Sequence, residues 1–134
     1  MRDLDSATWQ EFEEHIRDIL SCYDFDVQFR KVFKSGGRGY QIDVVGLRRD
    51  LCLCIDGKKY GRGRRRESSL KAEAAKHYNR CLAHEDAFGI KSIPIIVSWL
   101  DDNMVVENGC IFVPVYMLND FLLNLDAILE ELAF

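Results

Sequence analysis

Gln41-Ile42-Asp43-Val44-Val45-Gly46-Leu47-Arg48-Arg49-Asp50-Leu51-Cys52-Leu53-Cys54-Ile55-Asp56-Gly57-Lys58 contains two apolar runs divided by a short polar break. Runs of four to eight residues rich in Val, Ile and Leu, bounded by turn residues, form strands. The stretch therefore reads as a hairpin, 41–47 against 51–57, turning at Arg48-Arg49-Asp50. Asp43 stands among apolar neighbours, where a lone buried carboxylate is costly. Asp56 and Lys58 are two apart on the second strand, so they point to one face. A turn near Arg49 sets Asp43 opposite or diagonal to Asp56. Two carboxylates then converge beside a lysine, and like charges this close repel unless a cation or a shared proton offsets them. Mg²⁺, a hard ion that takes oxygen ligands, answers that need. Bound near a phosphate it acidifies water and stabilises phosphoryl charge, so the chemistry expected is phosphodiester hydrolysis.

Outward on the N-terminal side, Thr8 or Ser6 caps a helix running to about Ser21, with Trp9, Phe12, Ile16, Ile19 and Leu20 at helical spacing. An alternating strand is expected over 24–29, then a glycine loop over 35–39. On the C-terminal side a basic loop, 60–66, precedes a helix over 68–85. Strands follow at 93–99, 104–106 and 111–115, the last two about the Asn108-Gly109 turn, and a helix over 118–132 closes the chain. The order α-β-β-β-α-β-β-β-α implies an α/β fold, a mixed β-sheet flanked by helices. With 134 residues, no repeat and no linker, the expectation is a single domain over 1–134.

Hydrophobic residues make up 48% and charged residues 30%, which excludes disordered and fibrous classes. No apolar run approaches the roughly 20 residues of a membrane span, and the acidic start is unlike a signal peptide; a cytoplasmic protein is expected. The net charge of −4 hides a division. Residues 30–66 carry twelve basic and three acidic side chains, while both flanks are acidic. Such a basic segment suggests an anionic partner, the competing reading being neutralisation by the acidic helices. The cysteines, 22, 52, 54, 81 and 110, are odd in number and lack C-x-x-C spacing, so they read as reduced core thiols. His77, Cys81 and His84 share a helix face, read as packing, with Leu70, Ala74, Tyr78 and Leu82 completing an apolar seam. Phe112, Tyr116, Phe121 and Phe134 read as core or a dimer face. Ser98 and Cys54 have no evident base partner for nucleophilic catalysis.

Ile42-Asp43 followed thirteen residues later by Asp56-Gly57-Lys58 resembles the PD-(D/E)XK nuclease superfamily. The nearest likeness is to archaeal Holliday-junction resolvases and Mrr-type restriction endonucleases, over residues 9 to about 98. Phe12-Glu13 fits the place where those families carry a further acidic residue on the first helix, and Ser35-Gly36 fits a serine-glycine loop. Ile42 stands where the family name has proline, Asp56 where Glu is more frequent, and Gly57 loosens its strand. The resemblance implies a restriction-endonuclease-like fold and a Mg²⁺-dependent endodeoxyribonuclease, with Mn²⁺ able to substitute. It implies Glu13, Asp43 and Asp56 as metal ligands and Lys58 as the residue that positions water or stabilises charge. Ser35, Arg38, Lys59, Arg62, Arg64, Arg65 and Arg66 would contact DNA phosphates, which supply sequence-independent, salt-dependent affinity. A homodimer is expected, as the related resolvases cut two strands symmetrically. The alternative is a catalytically silent module of the same fold that only binds nucleic acid.

Overall fold

The computed structural model describes residues 8–58, 65–98 and 103–134, residues 65–70 by their backbone alone. Helix α1 (Trp9–Cys22) begins where Thr8 accepts a hydrogen bond on its side chain from the Glu11 amide at 3.2 Å. Phe12, Ile16 and Leu20, one turn apart, bury the same face. Strands β1 (Asp26–Ser35), β2 (Arg38–Arg48) and β3 (Leu51–Lys58) follow, then helix α2 (Arg65–Phe88) and strand β4 (Lys91–Ser98). Strands β5 (Val105–Glu107) and β6 (Cys110–Pro114), a 3-10 turn, and helices α3 (Leu118–Leu123) and α4 (Leu125–Glu131) complete the chain.

The six strands form one mixed sheet in the order β1-β2-β3-β4-β6-β5. The β1–β2, β2–β3 and β5–β6 pairs are antiparallel, whereas β3–β4 and β4–β6 are parallel. Helices flank this mixed α/β sheet on both faces. Phe12, Ile16, Leu20, Leu53, Ile55, Ile95, Val97, Ile111 and the α3–α4 leucines form the larger core. Ile42, Val45, Cys52, Cys54 and Cys81 form a smaller one beneath α2. Among the described residues no helix is long and apolar enough to cross a membrane.

Several expected boundaries move for identifiable reasons. The glycine loop shrinks to Gly36-Gly37, both at positive φ, in a two-residue turn closed by the Ser35–Arg38 pair; this geometry matches the twist of the flanking strands. Arg49, at φ +58°, turns β2 into β3 in the same tight way. The last helix breaks at Asn124, whose side-chain amide donates to the Asp120 carbonyl at 2.9 Å. On α2 the buried seam is Ala74, His77, Cys81 and His84, while Tyr78 and Leu82 turn outward. Tyr116 is 62% exposed and so is not core, unlike Phe112 and Phe121. Leu70 and Trp99 lie outside the residues whose side chains are described.

The β1–β2 hairpin changes faces part-way along. Val27 and Phe29 pack with the larger core, yet Phe33, of the same parity, packs beneath α2. On β2, Val45 and Ile42 both lie beneath α2 although they are three positions apart, which in a regular strand sets them on opposite faces. The alternation of side chains along a strand is thus reversed once on each strand. The reversal falls where Arg30 adopts φ +50° and where the Arg30–Asp43 rung is missing from an otherwise continuous register.

Candidate active site

Continuing the β2–β3 register one step beyond Val44–Ile55 sets Asp43 against Asp56. The two carboxyls lie close enough to perturb each other's ionisation. Asp56 is only 3% exposed, while Asp43 is half-buried. Burial, then the hydrogen bond and charge of Asp56, lifts Asp43 to a pKa of about 7. Burial also pushes Asp56 up, but its interaction with Asp43 and the charge and hydrogen bond of Lys58 outweigh it and hold Asp56 below the usual carboxylate range. Below about pH 7 Asp43 therefore holds a proton beside an ionised Asp56.

Lys58 Nζ lies 2.9 Å from Asp56 Oδ2 and 3.1 Å from Glu73 Oε2. Burial disfavours its charge, but the two carboxylates overcome that and raise its pKa. Arg80 Nη2 approaches Asp56 Oδ2 at 3.8 Å. Both contacts are ion pairs by distance; Asp56 Oδ2 is buried without an aligned hydrogen-bond donor. His77 Nε2 donates to the Cys54 carbonyl at 2.8 Å, which leaves Nδ1 as the unpartnered ring nitrogen. Burial lowers the pKa of His77, so it packs against the site as a neutral ring.

Gly57 is a packing requirement here. A Cβ at this position would lie 2.6 Å from Phe12 Cε1, so the absent side chain lets α1 lie close on β3. That contact brings Glu13 to a cleft of about 200 Å³ which Asp43, Arg30, Gln41 and Gly57 also line. Glu13 does not join the carboxylate pair at ligand spacing: among the described residues, the three-membered group within 4.8 Å is Cys52, Cys54 and His84. Both Glu13 oxygens instead accept from Arg30 Nη1 at 2.7 Å. Arg30 is the residue at the face reversal, and its side chain is largely exposed.

The donor set at Asp43 and Asp56 fits a hard divalent ion. It offers two carboxylates, one proton that an ion would displace, and a buried oxygen without an aligned donor. The fit for Glu13 requires Arg30 to release it. Glu73 is the site residue that the sequence reading missed; it and Arg80 both come from α2, and the packing of that helix on β3 brings them to Lys58 and Asp56. Arg80, with Arg38, Lys76, Gln41 and Asn79, also lines a polar cleft of about 330 Å³. Ser35 lies apart from these groups, its hydroxyl donating to Asp86 Oδ2 at 3.0 Å. Lys59, Arg62 and Arg64 lie outside the described residues, and Arg65 and Arg66 begin α2 with their side chains undescribed.

The chain is 44% identical over 126 residues to an uncharacterized protein of Archaeoglobus fulgidus, a match covering 94% of this chain and 98% of that one. It belongs to the same family as that archaeal protein. No family model matches the sequence. The crystal structure of a protein of unknown function, AF1548, superposes with a TM-score of 0.50 at 18% identity, over 69% of this chain. The match spans about half of that longer chain. At this identity the likeness is one of fold.

Proposed function

We propose that this protein is a Mg²⁺-dependent endodeoxyribonuclease of the PD-(D/E)XK type, working in the cytoplasm as a homodimer. The observation that carries the reading is the meeting of Asp43 and Asp56 across β2 and β3 with Lys58 Nζ 2.9 Å from Asp56 Oδ2. Asp43 and Asp56 would hold the ion, Mg²⁺ or Mn²⁺. Glu13 assists from α1 when Arg30 turns to another anion, such as a DNA phosphate. When bound, the ion acidifies water and offsets charge on a phosphate oxygen. Lys58, fixed between Asp56 and Glu73, orients the attacking water and meets the negative charge that develops on phosphorus-bound oxygen. The Arg38–Lys76–Arg80 cleft and the basic stretch of sequence with Lys59, Arg62, Arg64, Arg65 and Arg66 would supply phosphate contacts. Two copies would place two such sites on a duplex or a branched DNA.

A second reading keeps the fold and the DNA contacts but not the chemistry. It is favoured by Glu13 being fully engaged with Arg30 and by Lys58 being paired twice.

The test is cleavage of a panel comprising linear duplex, four-way junction, flap and single strand. Each is incubated with Mg²⁺, Mn²⁺ or EDTA, using wild type beside Asp56→Asn. Metal-dependent products that vanish in the variant are expected. Salt-sensitive binding without products would select the silent module, and equal activity in both proteins would remove the site assignment.

A further inference from the structure

Cys52, Cys54 and His84 form a second cluster, well removed in chemistry from the carboxylates. Their ligand atoms all lie within 4.8 Å of one another, and all three side chains are buried. Cys52 and Cys54 alternate on β3, so both sulfurs face α2, and they are 3.8 Å apart. Two thiolates held at about 2.3 Å from one tetrahedral ion are also separated by about 3.8 Å.

The hydrogen bonds around His84 settle which nitrogen is available. Ser92 Oγ donates to the Ile90 carbonyl at 3.0 Å. Its proton is thereby used, so His84 Nδ1, 2.8 Å away, donates to Ser92 Oγ. Nε2 carries the lone pair, and a second residue locks the ring, as in a histidine that ligates a metal. A cation already stands at that lone pair: Lys31 Nζ, 2.9 Å from Nε2. Cys52, His84 and Lys31 all line a cavity of about 450 Å³ between β1, β2 and α2, bordered by Phe88 and Asp26. The cavity gives access from outside and room for the lysine to swing aside.

We propose that Cys52, Cys54 and His84 bind a thiophilic cation, Zn²⁺ by class, with the fourth position open to this cavity. Two thiolates neutralise the ion, so its burial leaves no net charge, and both thiol protons are released on binding. Lys31 competes for the same place. The ligands bridge β3 and α2, so the ion also pins the helix to the sheet.

The experiment is a titration of the full chain, under reducing conditions, with Co²⁺. The readout is thiolate-to-cobalt absorption in the near ultraviolet. Zn²⁺ affinity is then measured by competition with a chromophoric chelator. One equivalent of Co²⁺ giving the thiolate band is expected, and Cys52→Ser with Cys54→Ser should abolish it. Ser92→Ala keeps all three ligands and removes only the partner that orients His84; it should weaken Zn²⁺ about 10–100-fold. Lys31→Met should tighten Zn²⁺, and Asp56→Asn should leave the band unchanged whether or not the protein cuts DNA. A folded wild type without the band at one equivalent overturns the proposal, as does a band that survives the double substitution. If the double variant does not fold, wild-type affinity in Ser92→Ala together with no tightening in Lys31→Met overturns it equally.

Discussion

Residues 52, 54 and 56 form one row on the α2-facing side of β3, and the two ends of that row differ in chemistry. Cys52 and Cys54 present sulfur, with His84 and Lys31 around them. Asp56 presents oxygen, with Asp43, Lys58 and Glu73 around it. The backbone is the same strand under the same helix, and the separation between the ends is a single step of the pleat. Side-chain softness therefore decides which cation each end suits, since thiolate and imidazole favour Zn²⁺ while carboxylates favour Mg²⁺. The ends also handle charge differently. At the sulfur end both protons remain on the thiols, the Cys52 thiol being held up by its hydrogen bond with Cys54 and by burial. At the oxygen end one proton serves two carboxylates and two cations do the rest.

The strongest way to break this comparison is Lys58→Ala. Removing one preorganised group that meets transition-state charge costs about 10²–10³-fold in rate. Single-turnover cleavage should fall by that much while the cobalt–thiolate band persists; a loss at both ends would mean that the two sites are one. Gly57→Ala tests the oxygen end mechanically. Its Cβ meets the Phe12 ring at 2.6 Å, and overpacking of this kind costs about 1–3 kcal/mol. Thermal melts should report that loss, with α1 and Glu13 displaced and the sulfur end unaffected.

Asp43→Asn sharpens the electrostatic half of the comparison. The Asp43 pKa rises from 3.8 to about 7 on folding. Its contribution to stability is therefore complete below about pH 4 and is lost as the pH climbs through about 7. Asparagine keeps a donor toward Asp56 and never ionises. Without divalent metal, the variant should be more stable than wild type at pH 8 by about 1–2 kcal/mol, a figure reduced for solvent screening at a half-buried group. Denaturant unfolding between pH 5 and 8 measures it, and parallel slopes for the two proteins would contradict the raised pKa of Asp43. The smallest effect expected is that of Ser35→Ala. Its hydroxyl is taken by Asp86 at an exposed turn, so stability should shift by no more than about 0.5 kcal/mol. Filter-binding affinity for DNA should not change.

Much of the architecture was legible in the pattern of residues. The apolar runs and turn residues of 41–58 implied the hairpin, and helical spacing of Phe12, Ile16 and Leu20 implied the buried face of α1. The reversal of faces at Arg30 and Asp43 was not legible, because the period-2 reading assumes that every residue keeps an extended backbone. The length of β1 was hidden for the same reason. Residues 30–35 continue the strand only because β2 pairs with them. The seam of α2 was misread at Tyr78 and Leu82, since His77 and His84 are buried by hydrogen bonds to Cys54 and Ser92, which hydrophobicity does not register.

The amino-acid sequence by itself determined the mixed α/β class, the order of its elements and the meeting of Asp43 with Asp56 and Lys58. Each of those follows from local periodicity or from a turn that closes within a few residues. The tertiary structure alone decided that Glu13 bonds to Arg30, that Glu73 and Arg80 reach Lys58 and Asp56 from α2, and that His84 completes a group with Cys52 and Cys54. Those contacts join residues 15 to 32 positions apart on different elements. Their geometry is set by how helices pack on the sheet, which no spacing along the chain records.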